Sequence, residues 1–283
     1  MCGDRSGVLD HGVMETLTAE RILAGLETAF VGRTLEYWPE IESTNARARR
    51  LAEGGAPEGT LVLTDYQTAG RGRLGRQWVA PVGSSLLMSL VFRPRIAPVQ
   101  VQRLTMICGL AAVDAIESET GLEAGLKWPN DILTGGAKAG GILTEIGLRG
   151  DRVDYAVVGL GLNVNLDPAR LPGELLMEAT SLAHVLGESV PRLPLLWALL
   201  QAVETRYLAL QSGHSPHNEW AERLVTLGRA VTVALGDGVV QGIAEGVDAD
   251  GALLVRSADG GLRTVLAGDV TLRGQGQGHA SPA

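Results

Sequence analysis

The chain has 283 residues, of which 45% are hydrophobic and 20% charged, a composition typical of a globular protein with a sizeable core. It carries 24 basic and 32 acidic residues, so its formal net charge is −8, and this acidic balance argues against a nucleic-acid-binding face. The two cysteines lack a pairing pattern, and the five histidines lack the spacing of a metal site. The sequence also lacks the pattern of a signal peptide or a transmembrane run, so we expect a soluble cytoplasmic protein with no membrane or nucleic-acid partner.

Between residues 17 and 227 the sequence predicts a large domain that mixes runs of strands with runs of helices. Residues 1–16 before it are expected to form a disordered leader. The expected helices span residues 18–29, 46–52, 98–120, 181–186, 194–211 and 217–227. The expected strands span residues 61–64, 85–92, 126–128, 141–146 and 154–159. Because helices and strands do not alternate regularly, an α+β domain is favoured over a doubly wound parallel sheet.

A second, smaller domain is predicted from Gly228, where the chain changes to short apolar runs separated by Gly/Asp turns. The expected strands span residues 231–235, 238–243, 252–256 and 262–266. Short strands at this spacing are typical of a small β-barrel of about fifty residues. We therefore predict a β-barrel over residues 228–273 and a disordered tail over residues 274–283.

The most informative motif is a glycine- and arginine-rich loop, Gly70-Arg71-Gly72-Arg73-Leu74-Gly75-Arg76-Gln77-Trp78. Glycines let backbone amides turn inward and arginines add forked donors, so the loop suits a ligand that carries phosphate. Trp78 adds an aromatic face on which a base can stack. The alternatives are a solvated basic loop and a dinucleotide-binding fingerprint. The fingerprint is rejected because neither a helix nor an acid for the ribose follows the glycines.

The only two lysines of the chain, Lys127 and Lys138, lie in a second cluster of motifs. They begin the segments Lys127-Trp128-Pro129-Asn130-Asp131 and Lys138-Ala139-Gly140-Gly141-Ile142-Leu143. Because arginine is the cation elsewhere, each lysine is expected to meet an anion at a position where a guanidinium does not fit. Asp131 would hold magnesium or a ribose. Asn163, in the segment Gly159-Leu160-Gly161-Leu162-Asn163-Val164-Asn165, is either a turn former or a reader of a nucleobase.

These segments, together with Glu42-Ser43-Thr44-Asn45 and the run from Asp65 to Trp78, resemble the ordered motif set of bacterial biotin–protein ligases. Five motifs in the family order are a specific signal, and they cover about residues 35 to 170. The resemblance implies an α+β catalytic domain with the mixed sheet of the biotin/lipoate ligase type, followed by a small C-terminal SH3-like β-barrel. Only 37 residues precede Trp38, too few for the winged helix-turn-helix of some members, so the monofunctional type without a DNA-binding domain is expected.

The family implies ATP-dependent ligation in two half-reactions. Biotin and MgATP first give biotinyl-5′-AMP and pyrophosphate. A lysine of a biotin carboxyl carrier domain, part of a biotin-dependent carboxylase such as acetyl-CoA carboxylase, then takes the biotinyl group. Biotin and ATP are thus the expected substrates and Mg²⁺ the expected metal. Family members also form homodimers through sheet edges, and the sequence leaves the oligomeric state open.

Matching the motifs residue by residue assigns three sets of expected site residues. The biotin-binding positions correspond to Ser43, Thr44, Asn45, Gln67, Arg71, Gly72, Arg73, Lys138, Gly140 and Gly141. The ATP-binding positions correspond to Arg76, Trp78, Lys127, Asn130, Asp131 and Asn163. The catalytic positions correspond to Lys138, Arg73 and Asp131, and Asp131 is also the expected Mg²⁺ ligand. In this assignment Lys138 lies between the biotin carboxylate and the α-phosphate, where a fixed cation lowers the repulsion between two anions.

Two other functions are compatible with parts of the pattern. A lipoate–protein ligase shares the catalytic fold and the adenylate chemistry, but the arginine-rich loop and the appended barrel favour biotin. A regulator that senses biotin without catalysis would need neither Lys138 nor Asp131, so the presence of both favours an enzyme. Detection of the acyl-AMP formed from either acid, and of pyrophosphate release, distinguishes these alternatives.

Overall fold

The computed structural model of the chain describes residues 16–171, 179–236 and 238–272. The expected tail, and all but the last residue of the expected leader, lie outside the described residues. The described residues form a seven-stranded mixed sheet covered by helices and, after it, a five-stranded antiparallel sheet. The α+β prediction, with a large mixed sheet and a small C-terminal β-structure, is therefore confirmed.

The large sheet is mixed because one pair of its strands is parallel. Its strands are β1 (Leu35–Trp38), β2 (Leu61–Thr64), β3 (Ser85–Phe92), β4 (Ala124–Lys127), β5 (Asp131–Thr134), β6 (Ala137–Arg149) and β7 (Arg152–Asn163). They are ordered β1-β2-β3-β7-β6-β5-β4, and every pair except β1–β2 is antiparallel. The sequence did not predict β1 and β5, because neither is a continuous apolar run and four residues are too few to establish a period.

The helices pack against this sheet and against one another. In the described residues they are α1 (Ala19–Ala24), α2 (Thr44–Glu53), α3 (Gln102–Thr120), α4 (Leu182–Leu186), α5 (Arg192–Gln211) and α6 (His217–Glu222). As predicted, α3 ends at Gly121, which adopts the left-handed conformation with φ +69°. α1 ends at Gly25, several residues earlier than predicted, because the Trp197 ring packs there and would lie 2.3 Å from a Cβ at Gly25.

α3 belongs to a long apolar stretch of the chain. By length and composition the stretch Pro98–Thr120, with a mean hydropathy of 1.3 in its most apolar window, is able to cross a membrane. We expected no such run from the sequence, and this is the one that the described residues contain. However, 67% of that window is buried inside the protein, and α3 packs on α5 and on the large sheet. It is the core helix of the fold, and Cys108 lies buried within it.

The C-terminal sheet lies within residues 228–273, where the sequence predicts a small domain. Its strands are β8 (Ala230–Ala234), β9 (Val239–Val247), β10 (Leu253–Arg256), β11 (Leu262–Val265) and β12 (Asp269–Leu272). They are ordered β11-β10-β9-β8-β12, and all neighbours pair antiparallel. β12 was not predicted from the sequence. The buried residues of this sheet belong to the same hydrophobic cluster as those of the large sheet, so the two sheets share one continuous core.

Trp128 connects the two sheets. Its side chain is buried, its backbone N–H donates to Thr226 Oγ1 (2.9 Å), and its indole N–H donates to the Gly251 carbonyl (2.9 Å). Gly251 has a φ of +90°, and a Cβ there would lie 2.5 Å from the Met106 side chain in α3, so only glycine fits at this junction. These contacts hold the C-terminal sheet beside the turn between β4 and β5.

Candidate active site

The first group of predicted residues lies at the beginning of α2. Ser43 is the N-cap of this helix, a position that serine favours, and Ser43, Thr44 and Asn45 are all at most 5% exposed. At the other end of α2, the Arg93 guanidinium donates to the Ala52 carbonyl (2.8 Å). The helix is therefore secured at both ends, and its three polar residues have fixed positions inside the protein.

Hydrogen bonds join these residues to Gln67 and to two residues that the motifs did not identify, Ser89 and Glu145. Gln67 Oε1 accepts from the Thr44 backbone N–H (2.8 Å). Ser89 Oγ lies 2.8 Å from Thr44 Oγ1 and 2.6 Å from Asn45 Oδ1, and Asn45 Nδ2 donates to Glu145 Oε2 (2.8 Å). We call Thr44, Ser89, Asn45 and Glu145 the polar relay. Ser89 had a signal in the sequence, a hydroxyl in an otherwise apolar buried strand, whereas Glu145 had none.

Small residues on β7 extend from the polar relay toward the glycine- and arginine-rich segment, residues 70–78, which we call the arginine loop. Gly159, Gly161 and Asn163 alternate along β7 and so share one face of the sheet; we call them the β7 strip. The Asn45 amide lies on Gly159, where a Cβ would be 2.0 Å from its Oδ1. The Trp78 indole lies on Gly161, where a Cβ would be 2.6 Å from the ring. The alternating glycines are therefore required because other groups approach the strand backbone closely.

Trp78 covers two glycines that are paired across neighbouring strands. Gly141 of β6 is the register partner of Gly161 of β7, and a Cβ at Gly141 would lie 3.4 Å from the Trp78 ring. The indole Nε1 is buried and has no hydrogen-bond partner in the part of the chain that the structure describes. A buried donor without an acceptor costs roughly 1–3 kcal/mol. A ligand that offers an acceptor here, or a shift of the ring, would remove that cost.

Lys138 lies near the beginning of β6, beside the Trp78 ring. Its Nζ is 2.6 Å from Asp131 Oδ1 and 5.9 Å from the centroid of the ring. The side chains of Lys138 and Asp131 are 32% and 19% exposed, so the ion pair is partly buried and within reach of a ligand. A Cβ at Gly140 would lie 2.9 Å from the Gly161 carbonyl oxygen, so glycine is required there too. An incoming anion would compete with Asp131 for the lysine ammonium.

The arginine loop is folded into a compact turn. The Gly72 N–H donates to the Arg76 carbonyl (2.8 Å), and the Trp78 N–H donates to the Gly70 carbonyl (2.9 Å). A Cβ at Gly70 would lie 2.5 Å from the Trp78 carbonyl oxygen, so the two ends of the loop approach each other at a glycine. These contacts fix the backbone from which the arginine side chains reach their partners.

Two arginines of this loop contact the C-terminal sheet. Arg73 Nη1 donates to Asn130 Oδ1 (3.2 Å) and to the Gly268 carbonyl (3.3 Å), and Arg76 forms an ion pair with Asp269. Burial lowers the pKa of the Arg73 guanidinium, and nearby carboxylates, that of Asp269 first, oppose this shift. Additional negative charge would stabilise such a buried cation, which suits a phosphate ligand. Gly268 and Asp269 thus join the candidate site from a distant part of the sequence.

Three further predicted residues border this centre. Asn130 Nδ2 donates to a backbone carbonyl of β6 (2.7 Å), and the buried Asn163 Nδ2 donates to the Thr180 carbonyl (3.0 Å). Both amides are therefore already engaged within the protein. Lys127 is the last residue of β4, opposite Asp131 in the register of β4 and β5.

Arg71 lies on the side of the arginine loop that faces the polar relay. Its Nη2 is 3.9 Å from Glu145 Oε1, and its side chain is 45% exposed. It borders an open groove of about 380 Å³ between α2 and the arginine loop. Further cations line this groove, namely Arg49, Arg50 and Arg76. The groove lies beside the β7 strip rather than on it, because Trp78 covers Gly161.

Comparison with known proteins places this architecture in one family. Residues 37–163 match the model of the Biotin/lipoate A/B protein ligase family, and residues 226–273 match that of the Biotin protein ligase C terminal domain. The chain is similar to the bifunctional ligase/repressor BirA of Bacillus subtilis, with 37% identity over 258 residues that cover 90% of this chain and 79% of that protein. It is also similar to the biotin–[acetyl-CoA-carboxylase] ligase of Mycobacterium tuberculosis, with 36% identity over 84% of this chain and 88% of that protein.

A solved structure agrees with these sequence matches. The biotin protein ligase from Aquifex aeolicus, in complex with biotin and ATP, superposes with a TM-score of 0.73 and 29% sequence identity, over 85% of this chain and 99% of that chain. Apart from the first two residues of β1, both sheets of the present fold lie within regions that the family models match. The chain therefore belongs to the biotin protein ligase family and is a ligase.

Proposed function

We propose that the protein forms biotinyl-5′-AMP from biotin and MgATP and then transfers the biotinyl group to a lysine of a biotin carboxyl carrier domain. The observation that carries this proposal is the position of Lys138, whose Nζ lies beside Trp78 and the paired glycines Gly141 and Gly161. The two glycines leave open space beside the compact lysine ammonium. Such a site suits a ligand in which an anionic group joins two flat ring systems. The names of the Mycobacterium tuberculosis relative and of the Aquifex aeolicus complex support the same substrates.

The ring of biotin would bind at the beginning of α2. Ser43, Thr44 and Gln67 offer short polar groups at a largely buried site, and a ureido ring needs such partners because its polar atoms cannot be buried unpaired. The aliphatic chain of biotin would then follow the β7 strip. Gly140 and Gly141 leave room for this chain as it approaches Lys138.

The adenine would bind on the other side of Lys138, near Trp78. Stacking on the indole face would supply most of the contact. Asn130 and Asn163 use their amide N–H groups within the protein, but each carbonyl oxygen keeps a lone pair for the amino group of the base. Arg73 and Arg76 would turn from the C-terminal sheet to the phosphates. The remaining residues expected to contact biotin or ATP are Lys127, Gly72 and Arg71.

In the first half-reaction a carboxylate oxygen of biotin attacks the α-phosphorus of ATP. A new oxygen–phosphorus bond forms, the bond between the α-phosphorus and the bridging oxygen breaks, and pyrophosphate leaves. Both reactants are anions, so Lys138 lowers the barrier by leaving Asp131 and lying between them. When bound, Mg²⁺ would neutralise part of the phosphate charge.

Asp131 is the residue that would hold Mg²⁺, together with phosphate oxygens and water. The described residues contain no group of three or more side chains suited to a metal, which fits an ion held mainly by the nucleotide. In the second half-reaction the acceptor amine attacks the acyl carbon and AMP leaves. Asp131, released from Lys138, would then accept a hydrogen bond from the incoming amine.

We also propose that the protein acts in the cytoplasm and has no nucleic-acid partner. The formal net charge of −8 supports the second point, because a nucleic-acid-binding face is usually basic. An electrophoretic shift assay with duplex DNA, in the presence of biotin and ATP, would test it. A specific complex at physiological salt would contradict the proposal.

The direct test of the function is reconstitution. The protein is incubated with biotin, MgATP and a purified biotin carboxyl carrier domain, and the mass of the acceptor is measured together with pyrophosphate release. We expect one biotinyl group per acceptor, and no product from an acceptor whose target lysine is replaced by arginine. Lipoate in place of biotin should give neither pyrophosphate nor a modified acceptor. Equal or faster turnover with lipoate would reassign the substrate.

A further inference from the structure

We propose that Glu145 is a positioning residue that sets the direction of hydrogen-bond donation in the pocket for the biotin ring. The inference rests on the proposed function, because it assumes that the ring binds against Thr44 and Gln67. Glu145 belongs to none of the motif positions, and it acts through other side chains of the polar relay.

The first step concerns the amide of Asn45. Its Nδ2 lies 2.8 Å from Glu145 Oε2 and 3.3 Å from the Leu143 carbonyl oxygen. Both partners only accept hydrogen bonds, so the nitrogen must face them. The reversed amide would place its oxygen against a carboxylate, where two negative groups repel. The charge of Glu145 therefore fixes Asn45 with its Oδ1 toward Ser89.

The second step concerns the single proton of the Ser89 hydroxyl. Ser89 is fully buried in β3, and its Oγ is 2.6 Å from Asn45 Oδ1 and 2.8 Å from Thr44 Oγ1. A hydroxyl donates one hydrogen bond. Since Asn45 Oδ1 only accepts, Ser89 must donate to it at the shorter of its two contacts. The Thr44 hydroxyl can donate either to Gln67 Oε1 (3.1 Å) or to Ser89 Oγ (2.8 Å), and with the Ser89 proton on Asn45 the second choice avoids two lone pairs facing each other.

The third step concerns what the pocket offers a ligand. Thr44, having donated to Ser89, presents hydroxyl lone pairs, which accept. Gln67 Oε1 is occupied by the Thr44 backbone N–H, so its Nε2 is the group that can donate. One acceptor beside one donor complements a ureido group, which has N–H donors next to a carbonyl acceptor. If Asn45 reversed, Ser89 would donate to Thr44, and the Thr44 proton would turn to Gln67 Oε1 (3.1 Å), so the threonine would offer the ureido N–H one lone pair instead of two.

Glu145 also contacts Arg71, but this contact is too weak to account for the effect. The Nη2 to Oε1 distance is 3.9 Å, and the Arg71 side chain is 45% exposed, so solvent screens the pair. Asn45, by contrast, is 5% exposed and within hydrogen-bond distance of the other carboxylate oxygen. The influence of Glu145 on the ring pocket therefore passes through Asn45 and Ser89.

The test reverses the charge and then interrupts the relay. Glu145→Lys places a donor opposite Asn45 and favours the reversed amide. Calorimetric titration of the full chain with biotin alone should show affinity about 3–10-fold weaker than wild type, the effect of one weakened hydrogen bond. Glu145→Gln accepts either orientation of the amide and should cost only about twofold. In a Ser89→Ala background both changes should have little further effect, because the relay to Thr44 is already broken.

The controls distinguish this role from general charge or packing effects. Glu53→Lys is the matched variant, since Glu53 lies on α2 and accepts from the Tyr155 hydroxyl (3.1 Å) outside the polar relay. It should leave biotin affinity unchanged, and thermal melting should show that all variants fold. At saturating biotin, pyrophosphate release by Glu145→Gln should stay within about threefold of wild type, because Glu145 does not touch the reacting atoms.

Several results would overturn the proposal. Wild-type affinity in Glu145→Lys would do so, as would a loss of the same factor in the Ser89→Ala background as in wild type. If Glu145→Lys fails to fold, the Glu145→Gln pair carries the test, and an equal loss with and without Ser89 contradicts the relay. Failure of the wild-type protein to bind biotin would instead count against the proposed function, so the two failures are distinguishable.

Discussion

Among single residues, Lys138 has the largest electrostatic role in the proposed reaction. Lys138→Ala should slow pyrophosphate release roughly 10²–10³-fold, because one preorganised group at a developing charge contributes about 3–4 kcal/mol. Lys138→Arg should recover little, since a planar guanidinium is less compact than an ammonium. Lys127→Ala, at the only other lysine, should chiefly raise the KM for ATP. Pyrophosphate release by Lys138→Ala within about threefold of wild type would contradict the assignment.

A substitution at Gly161 tests the position of Trp78 by adding a single methyl group. Gly161→Ala would place a methyl group 2.6 Å from the Trp78 ring, so the indole must move off the β7 strip. We expect the KM for ATP to rise about tenfold and stability to fall by about 1–3 kcal/mol, the usual cost of overpacking. Gly246→Ala in β9, where a Cβ would have no atom within 4 Å, is the matched control and should change neither value. An unchanged KM for ATP in Gly161→Ala would argue against the role of Trp78.

At the scale of elements, Glu204 joins α5 to the chain segment after α1. Its carboxylate accepts the backbone N–H groups of Ala29, Phe30 and Val31 at 2.7, 2.8 and 2.9 Å. Burial raises the pKa of Glu204, but these three hydrogen bonds outweigh it and hold the pKa below the ordinary value of 4.5. A lowered pKa means that the ionised form stabilises the fold above pH 4.5 and that this stability is lost as the pH decreases.

Glu204→Gln should therefore lower the free energy of unfolding at pH 7 by about 1–3 kcal/mol, the usual contribution of hydrogen bonds to a charged group. The difference between wild type and variant should shrink in acid, below the ordinary pKa of the carboxyl group. Urea unfolding at a series of pH values measures both effects. A difference that stays constant down to pH 3 would show that the ionised carboxylate is not responsible.

Which elements could be predicted depended on how local their signals are. α3 has a long apolar period and a glycine where it ends, so both its existence and its C-terminus were predicted. β1 and β5 are four residues long, too short for a period to be established from the sequence, and β1 pairs with a strand more than twenty residues later in the chain. α1 ends early because of Trp197, a residue from α5 that no local pattern could reveal.

The residues of the candidate site also differ in whether a local sequence pattern reveals them. The sequence motifs identified Lys138, Asp131 and Trp78, and the structure places these three residues side by side. Glu145 was missed because its importance comes from a hydrogen bond to a helix about a hundred residues earlier in the chain. Asp269 was missed because only the folded chain brings the C-terminal sheet to the arginine loop.

For the whole molecule, the continuous core predicts cooperative unfolding. One hydrophobic cluster includes residues of both sheets, and Trp128 donates a hydrogen bond across the junction to Gly251. We therefore expect a single calorimetric transition whose calorimetric and van't Hoff enthalpies agree. Trp128→Phe keeps an aromatic side chain but loses this hydrogen bond and part of the buried volume, and should lower stability by about 2–4 kcal/mol without splitting the transition. Two separate transitions in the wild-type protein would show that the C-terminal sheet unfolds independently.

The β7 strip also has a consequence for the length of the acid that can be activated. Positions two apart in a strand are separated by about 6.7 Å. In the proposed mode of binding, Gly159, beneath Asn45, and Gly161, beneath Trp78, would therefore set a fixed distance from the ring pocket to the nucleotide. β7 pairs with a strand on each side, so this spacing cannot stretch. An acid one methylene shorter or longer than biotin would place its carboxylate away from Lys138. The central strand would thus select substrates by chain length as well as by ring chemistry.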